Sequence, residues 1–388
     1  MTIRLVEDTI DAQDIDKLIE WLRTYPRLTK GPLTIEFEKK FSEWVGTKYS
    51  VFVNSGSSAN LLMLYALVTS GMMKNRKVVV PALSWATDLA PVIQLGMHPL
   101  LVDCNMSTLS VDTNHLRNIF EKERPDALIV VSALGLSPNM QEIVNLCNEY
   151  NVILLEDNCE SQGTSYNGIK LGNFGLMSSF STYFGHIMST IEGGVITTND
   201  EKIYEMLIQL RSHGWSRDLS ATSKETLRNE WGIDKFSELY TFYEPGFNLR
   251  ATDLQAFIGI GQLEKVDAMI AQRNKNFHLF KQLLEPHVWF PREEKNSFTA
   301  SFCIPVIMET EQQKQTLIDL LAEHNIECRP LISGSMGTQP FYKKLYGELI
   351  LPNSSLIDRC GLYVPNHPTM SEQDIQLICE LIIKASKM

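Results

Sequence analysis

The sequence lacks clustered cysteines, and this absence excludes several classes of protein. The chain has an odd number of cysteines, seven, with no CxxC pair among them. A disulfide framework is not predicted, because such frameworks need paired cysteines and an oxidising compartment. Clustered thiolates also hold iron–sulfur clusters, so we expect neither an iron–sulfur cluster nor a metal centre. We interpret every cysteine as a small buried hydrophobic residue: Cys104, Cys147, Cys159, Cys303, Cys328, Cys360 and Cys379.

An excess of positive charge and a long apolar run are also missing. The chain carries 46 acidic against 35 basic residues, for a net charge of −11. This charge disfavours binding to nucleic acid or to an anionic membrane, so neither is expected as a partner. No apolar run approaches the roughly 20 residues that span a bilayer, and residues 1–18 lack the basic and apolar regions of a signal peptide. We predict a cytoplasmic globular protein of one large or two moderate domains.

A third absence lies in the centre of the chain, where no lysine occurs between Lys170 and Lys202. This interval contains a predicted strand from Met177 to Tyr183 and a second strand from Gly194 to Thr198. The turn between the strands is polar and contains His186. A polar turn between two buried strands is typical of a functional site, and we expect the rest of the chain to be organised around it.

Upstream of this turn, strands and helices alternate. This alternation predicts a mostly parallel sheet with helices on both faces, and therefore an α/β large domain. Asp157 follows the last of these strands, at the edge where open α/β sheets usually bind ligands. The predicted elements are strands Lys77–Val80, Pro99–Val102, Ala127–Val131 and Val152–Leu155 and helices Asn114–Glu121 and Met140–Tyr150.

Amphipathic patterns predict further helices on either side of this sheet. We predict helices Asp14–Arg23 and Thr34–Val45, with Thr34 as the N-cap of the second, and a long helix from Ala251 to about Leu284. The interval between residue 211 and Tyr243 is interpreted as a long acidic and aromatic loop. We predict three parts of the chain: residues 1–250 as the large domain, 251–285 as a connecting helix and 286–388 as a small α+β domain. Its predicted elements are strands Ala300–Val306 and Ile326–Arg329 and helices Gln312–His324 and Gln373–Ala385.

Two stretches near the start of the predicted sheet point to ligand binding. The sequence NSGSSAN joins a strand to an apolar helix, and the free amides of such a helix N-terminus suit a phosphate. A phosphate would fit this turn, although a plain serine N-cap explains the same sequence. Trp85 follows a strand at the ligand edge, where it is either a stacking platform or a core aromatic residue.

Several short motifs together resemble the DegT/DnrJ/EryC1 family of sugar-nucleotide aminotransferases, which use vitamin B6 cofactors. The likeness rests on GSSAN, SW, EDNCE, SFS, EGG, RSHGW, GFNLR and ECRP and extends over nearly the whole chain. It implies the fold-type-I architecture, a homodimer with shared active sites and a pyridoxal or pyridoxamine 5′-phosphate cofactor (PLP or PMP).

The resemblance also implies roles for individual residues. Trp85 would stack on the cofactor ring, Asp157 would contact the ring nitrogen, and Glu160 would lie near the phenolic oxygen. Gly56, Ser57, Ser58 and Ser181 would hold the phosphate, and Asn248 would reach the phosphate in the partner subunit. Candidate substrate residues are His213, Arg217 and Arg329, for each of which a structural contact is the alternative.

The family places the lysine that forms the Schiff base six residues before the acid of EGG, and here that position is His186. A histidine at this position resembles the lysine-less subgroup of 4-keto-sugar 3-dehydratases. The resemblance implies removal of the 3-hydroxyl from a nucleotide-linked 4-keto-6-deoxy sugar, with GDP-4-keto-6-deoxy-D-mannose favoured and glutamate as amino donor. His186 would be the acid and base, since an unperturbed imidazole titrates near neutrality.

Two other functions stay open at this stage. One is a C-4 aminotransferase that tolerates the loss of its lysine, and the other is a catalytically silent dimer that binds sugar nucleotides. The presence of Asp157, Trp85 and the serines disfavours a silent protein. The sequence does not determine which nucleotide is bound or whether the sugar is a hexose or a heptose.

Overall fold

The alternation of strands and helices produces a three-layered α/β unit in the computed structural model, which describes residues 2–388. Its helices are α1 Ala12–Leu22, α2 Pro32–Val45, α3 Gly56–Thr69, α4 Ala86–Gln94, α5 Thr113–Glu123, α6 Met140–Tyr150, α7 Glu201–Arg211, α8 Ala221–Trp231, α9 Asp253–Leu284, α10 Glu311–Glu323, α11 Pro340–Tyr346, α12 Pro352–Cys360 and α13 Glu372–Ser386. The strands are β1 Tyr49–Val53, β2 Lys77–Pro81, β3 His98–Val102, β4 Ala127–Val131, β5 Ile153–Asp157, β6 Ser165–Tyr166, β7 Ile169–Lys170, β8 Met177–Ser181, β9 Gly194–Thr198, β10 Ser297–Phe298, β11 Ile304–Ile307, β12 Arg329–Pro330 and β13 Gly361–Val364.

The main sheet has seven strands in the order β1-β9-β8-β5-β4-β2-β3. The pairs from β3 through β2, β4 and β5 to β8 are parallel, whereas β9 pairs antiparallel with both β8 and β1. The predicted fold class, an α/β protein with a mostly parallel sheet, is therefore confirmed. Its parallel strands are covered on both faces, and β4 and β8 are buried throughout.

The start of α2 differs from the predicted N-cap at Thr34. The helix begins at Pro32 with Gly31 as its N-cap, because proline suits the first turn of a helix. Thr34 lies inside the helix, where its amide and its hydroxyl both donate to Oδ1 of Asp253, at 2.9 and 2.7 Å. The threonine therefore joins α2 to the first turn of α9 rather than capping its own helix.

Two predicted strands of the C-terminal part have other bounds in the structure, and one predicted loop contains a helix. The strand predicted from Ala300 begins only at Ile304, and the strand predicted over 326–329 is limited to Arg329–Pro330. Both pair antiparallel with β13, which was not predicted. The segment interpreted as a loop before Tyr243 contains helix α8, which has no buried residue and therefore shows no apolar periodicity.

The N-terminal segment pairs with the C-terminal part of the chain. Ile3 forms a parallel bridge with Ile326, since its amide donates to the carbonyl of Asn325 and its carbonyl accepts from Glu327, both at 3.0 Å. Leu5 is buried in the same apolar cluster as α10 and α13. The three-part division of the chain stays a prediction, and these contacts add the first residues to the C-terminal unit.

Over residues 2–388, every helix is either too short or too polar to cross a lipid bilayer.

Candidate active site

A cavity of about 860 Å³ lies where β5, β8 and the start of α3 meet, at the carboxyl edge of the parallel strands. Parallel strands deliver the residues that follow them to one edge, which explains why distant motifs converge here. Most of the residues that the sequence assigned to a site line this cavity: Gly56, Ser57, Trp85, Asp157, Glu160, Ser181, His186 and Arg329.

The turn before α3 presents its backbone to the cavity. Ser55 is the N-cap, and its hydroxyl accepts from the amide of Ser58 at 3.1 Å. Ser58 itself does not line the cavity, so it serves the cap, whereas Gly56 and Ser57 face the open space. A Cβ on Gly56 would lie 2.7 Å from Cβ of Ser181, so only glycine allows α3 to approach β8 this closely. The result is an amide-lined cradle for an anion.

Asp157 ends β5 and is held by polar contacts on both oxygens. Its Oδ1 accepts from the amide of Cys159 at 2.8 Å, and its Oδ2 accepts from Nδ2 of Asn60 at 2.6 Å. Asn60 is oriented in turn by the hydroxyl of Ser179, which donates to its Oδ1. These bonds hold the carboxylate in one orientation toward the cavity.

The neighbouring acid, Glu156, has a structural role that the sequence did not show. It is buried, and its Oε1 accepts from the amides of Phe174 and Gly175 at 2.8 and 2.7 Å. Its Oε2 accepts from the amide of Gly172 at 2.8 Å. Glu156 therefore anchors the turn that leads into β8 and does not face the cavity.

Glu160 lines the cavity from the segment that follows β5. Its Oε2 accepts from the amide of Leu134 at 2.8 Å, and Leu134 adopts a left-handed conformation with φ of 54°. Such a conformation is unfavourable for leucine and is found where a backbone group must point at a functional site. Burial raises the pKa of the Glu160 carboxyl to about 7, so a protonated form is accessible near neutral pH.

This raised pKa predicts a pH-dependent stability for the cofactor-free protein. The unfolded chain loses this proton near pH 4.5 and the folded chain near 7. Stability should therefore fall as pH rises between these values and should stay reduced above them. At pH 8 the free energy of unfolding of Glu160→Gln should exceed that of the parent by on the order of 1–3 kcal/mol, so the variant should unfold at a higher urea concentration. This difference should vanish at pH 4.5.

Urea unfolding at several pH values between 4.5 and 8 measures this difference. Glu323→Gln, at an exposed position of α10, is the matched control and should show no pH-dependent gap. A constant gap between Glu160→Gln and the parent across this range would contradict the prediction.

His186 lies in the turn between β8 and β9 and faces the cavity. Its amide donates to the carbonyl of Tyr183 at 2.9 Å, and its ring packs 5.4 Å from the ring of Phe302, centroid to centroid. Nδ1 is buried without a hydrogen-bond partner anywhere in residues 2–388. Burial lowers the pKa of the imidazole to about 4, against an opposing effect of the Asp157 charge. The sequence argument assumed an unperturbed imidazole, and the folded cofactor-free chain instead holds a neutral base.

Side chains that the sequence did not identify hold this turn in place. Oε1 of Gln162 accepts from the amide of Met188 at 3.3 Å, and Oε1 of Gln262 accepts from that of Ser189 at 3.4 Å. Gln262 lies in the middle of α9 and is fully buried. A glutamine in a long helix gives no sequence signal of such a contact, because its partner is distant in the chain.

A lysine is absent from the lining of this cavity in the part of the chain that the structure describes. The nearest lysine before β8 in the sequence, Lys170, is on β7 and is engaged elsewhere. Its Nζ donates to the carbonyl of Trp44 at 2.7 Å and lies 4.1 Å from the centroid of the Trp44 ring. Lys170 therefore cannot replace His186 as a covalent tether.

Three predicted site residues lie away from the cavity, in a group that we call the basic cluster. The cluster surrounds a smaller cavity of about 90 Å³, and its basic side chains are Arg27, Lys30, Arg217 and Arg250. Asn248 accepts from Nε of Arg250 at 2.9 Å, and His213 packs 5.0 Å from Trp215, which also lies under Arg217. Within one subunit, His213, Arg217 and Asn248 do not line the main cavity.

A comparison with models of protein families shows which family this chain belongs to. Residues 8–383 match the model of the DegT/DnrJ/EryC1/StrS aminotransferase family. The chain belongs to this family. The family that the sequence motifs resembled is thereby confirmed.

Similar proteins within the DegT/DnrJ/EryC1/StrS family share nearly the full length of this chain. GDP-4-keto-6-deoxy-D-mannose 3-dehydratase of Yersinia pseudotuberculosis is 34% identical, with 98% of each chain covered. The structure of the E. coli GDP-4-keto-6-deoxy-D-mannose-3-dehydratase with bound hydrated PLP has a TM-score of 0.89 at 31% identity, covering 98% of this chain and 100% of that one. A structure of GDP-4-keto-6-deoxymannose-3-dehydratase with a trapped PLP-glutamate geminal diamine has the same TM-score, identity and coverage.

Several residues that line the cavity of this DegT/DnrJ/EryC1/StrS family member were not predicted from the sequence. Arg4, Glu7 and Asp8 belong to the N-terminal segment, which reaches the cavity because Oε2 of Glu327 accepts from the amide of Leu5 at 3.0 Å. Asp88, in the first turn of α4, also lines the cavity. None of these four residues belongs to a motif that the sequence analysis identified, so only the tertiary structure places them at the cavity.

Proposed function

We propose that this protein is a PLP- and PMP-dependent 3-dehydratase of a nucleotide-linked 4-keto-6-deoxy sugar, with GDP-4-keto-6-deoxy-D-mannose as substrate. The observation that carries the proposal is His186, which occupies the position of the family lysine in a cavity lined by no lysine of residues 2–388. The full-length similarity to a GDP-4-keto-6-deoxy-D-mannose 3-dehydratase supports the same substrate.

The residues of the cavity fit such a cofactor. The amides of Gly56 and Ser57 and the hydroxyl of Ser181 suit a phosphate, because a helix N-terminus favours negative charge. Asp157 would contact the ring nitrogen, and Trp85, 55% exposed, offers a free ring face for stacking. When bound, the cofactor would supply an electron sink for a carbanion at the carbon that carries the amine.

In this proposal His186 moves the protons. As a neutral imidazole it takes a proton from C4′ of the cofactor, and as an imidazolium it returns that proton to the hydroxyl that leaves C3 of the sugar. Burial keeps the base neutral before the reaction. Glu160, with a pKa of about 7, would share a proton with the phenolic oxygen of the cofactor.

The missing lysine has a direct consequence for the attachment of the cofactor. With no amine in the cavity lining, PLP should be held by non-covalent contacts alone. We expect acid denaturation to release all of the cofactor, whether or not the native protein has first been treated with borohydride. Mass spectrometry of the treated protein measures this, and a lysine carrying a reduced cofactor adduct would contradict it. A lysine-containing family aminotransferase is the positive control for the trapping.

We further propose a homodimer in which the basic cluster of one subunit completes the active site of the other. The basic side chains of the cluster do not line the main cavity of their own subunit. Large apolar side chains are exposed in the same part of the chain. Tyr25 is 94% exposed and Phe236 82%, and exposed apolar groups of this kind mark protein interfaces. A symmetric dimer is the commonest way to cover such a surface.

Mixing two inactive variants tests the shared site. His186→Asn and Arg217→Ala should each lose most activity alone, and subunit exchange between them should restore about a quarter of the parental activity. After exchange, half of the dimers contain one subunit of each variant. In each of these dimers, one site has both an intact His186 and an intact Arg217, and the other site has neither. Turnover measured before and after exchange gives the result. A site built within one subunit predicts no recovery, and a monomer in sedimentation experiments would also contradict the proposal.

The function itself is tested with purified protein, glutamate, PLP and a panel of 4-keto sugar nucleotides. Mass spectrometry should show loss of one oxygen from GDP-4-keto-6-deoxy-D-mannose, with glutamate required for repeated turnover as the amino donor. An amino group gained at C4 without loss of oxygen would identify an aminotransferase instead. Binding without any product would identify a catalytically silent protein.

A further inference from the structure

A second buried carboxyl group lies beside Asp157 and has no part in the function proposed above. Asp88 is fully buried in the first turn of α4 and lines the main cavity together with Asp157. Oδ2 of Asp88 has no hydrogen-bond partner among residues 2–388, and such orphaned groups are rare in protein interiors.

The two carboxyl groups share a single amide donor. Nδ2 of Asn60 lies 2.6 Å from Oδ2 of Asp157, 3.3 Å from Oδ1 of Asp88 and 3.3 Å from the carbonyl oxygen of Thr87. A side-chain amide carries two hydrogens, so it cannot satisfy three acceptors at once. One acceptor is therefore left without a hydrogen of its own, and a proton on one of the two carboxyl groups would supply the missing donor.

Within residues 2–388, no basic side chain forms an ion pair with Asp88 or Asp157. In the described chain, the aspartates that form ion pairs are Asp11, Asp14 and Asp218. The titratable groups that interact with the pair are Cys159 and Glu160 from the segment after β5 and His186 from the turn after β8. None of them carries a positive charge, because burial lowers the pKa of His186 to about 4. Burial, and then the charge of Asp157, raise the pKa of Asp88 well above its usual range. Two carboxylates this close cannot both be ionised in a buried site without a cation.

We propose that Asp88 and Asp157 together hold one proton in the cofactor-free protein, and that cofactor binding displaces this proton into solvent. The inference rests on the proposed cofactor site. The ring nitrogen of a 3-hydroxypyridine cofactor already carries a proton near neutral pH, so the positive charge arrives with the cofactor. On binding, the O–H bond of the pair breaks, its electrons stay on the carboxylate oxygen, and the proton passes to water. The pair goes from a charge of −1 to −2 beside the pyridinium. The pyridinium is then the cation that the pair lacks, and Asp88 is a positioning residue that acts through Asp157.

The number of protons exchanged with solvent on cofactor binding tests the proposal. PMP is titrated into the cofactor-free protein by calorimetry at one pH in buffers of different ionisation enthalpy, without primary amines. The slope of the observed enthalpy against that of the buffer gives the proton count. Asp88→Asn removes the stored proton and keeps the shape of the side chain. Compared with the parent, this variant should release about one proton fewer to solvent.

The protonation of the cofactor phosphate cancels in this comparison, since both proteins bind the same molecule. Equal proton counts for the parent and Asp88→Asn, with PMP bound to both, would overturn the proposal. Failure of the parent to bind PMP would instead overturn the proposed function. Infrared difference spectra of the parent alone give a second measurement that does not depend on a folded variant. The carbonyl band of a protonated carboxyl group should disappear when PMP binds, and a band that persists would also overturn the proposal.

Discussion

His186→Asn is expected to lower the rate of dehydration by about 10² to 10⁴, the range for loss of a general acid–base group. Asparagine keeps a polar side chain of similar reach in the turn but cannot titrate. The turn itself is held by backbone contacts to Gln162 and Gln262, so the fold and the binding of the cofactor should be retained. Steady-state turnover and cofactor titration, measured on the same preparation, separate the two effects.

His186→Lys provides the matched comparison. An amine at this position can form a covalent link with the cofactor aldehyde, and it can move protons between carbon atoms. We expect a borohydride-trappable adduct in this variant and slower regeneration of the amine form of the cofactor. Dehydration by His186→Asn at the parental rate would remove His186 from the mechanism and would leave the aminotransferase as the better interpretation.

Asp157→Asn is expected to weaken cofactor binding by about 10² to 10³, in line with the ~2–5 kcal/mol lost when one partner of a buried charge pair is truncated. The side chain ends β5, and its hydrogen bonds from Asn60 and Cys159 hold it toward the cavity. Asparagine preserves the shape and removes the charge that would stabilise a protonated ring nitrogen. Turnover at saturating cofactor should also fall, because an unprotonated ring is a weaker electron sink.

Asp126→Asn is the control for the effect of removing a buried carboxylate. Asp126 is 8% exposed and accepts from the amides of Lys74 and Asn75 at 2.9 and 2.8 Å, before β4 and away from the cavity. We expect this variant to lose stability in urea and to keep its affinity for the cofactor. Cofactor titration by fluorescence measures both proteins, and equal affinities for Asp157→Asn and the parent would contradict the assignment of Asp157.

Local pattern was sufficient for the main sheet and for part of the site. Alternating strands and helices predict a parallel sheet, because each strand must be covered on both faces by the helices that follow it in the chain. Asp157 was placed correctly at the end of β5. The role of His186 was predicted from its spacing to Glu192 of the EGG motif. Both residues lie in the segment that joins β8 to β9.

Elements without a strong local pattern were missed. Helix α8 has no buried residue, and its Leu227 packs only partly buried against the core, so its sequence carries no apolar stripe. Strand β13 has four residues and is defined by its pairing with β11 and β12, which no periodicity in so short a segment can reveal. Thr34 was given a capping role because the carboxylate that binds it, on Asp253, lies far away in the chain.

The sequence by itself therefore determined the fold class, the family and the replacement of the lysine by His186, since these depend on residues that are close in the chain. The tertiary structure alone decided the charge state and the neighbours of the site. Burial makes His186 a neutral base, the meeting of α3, α4 and β5 brings Asp88 beside Asp157, and His213 and Arg217 lie outside the main cavity. Desolvation and charge interactions depend on distances between atoms far apart in the chain, and these distances exist only after the sheet and its helices have packed.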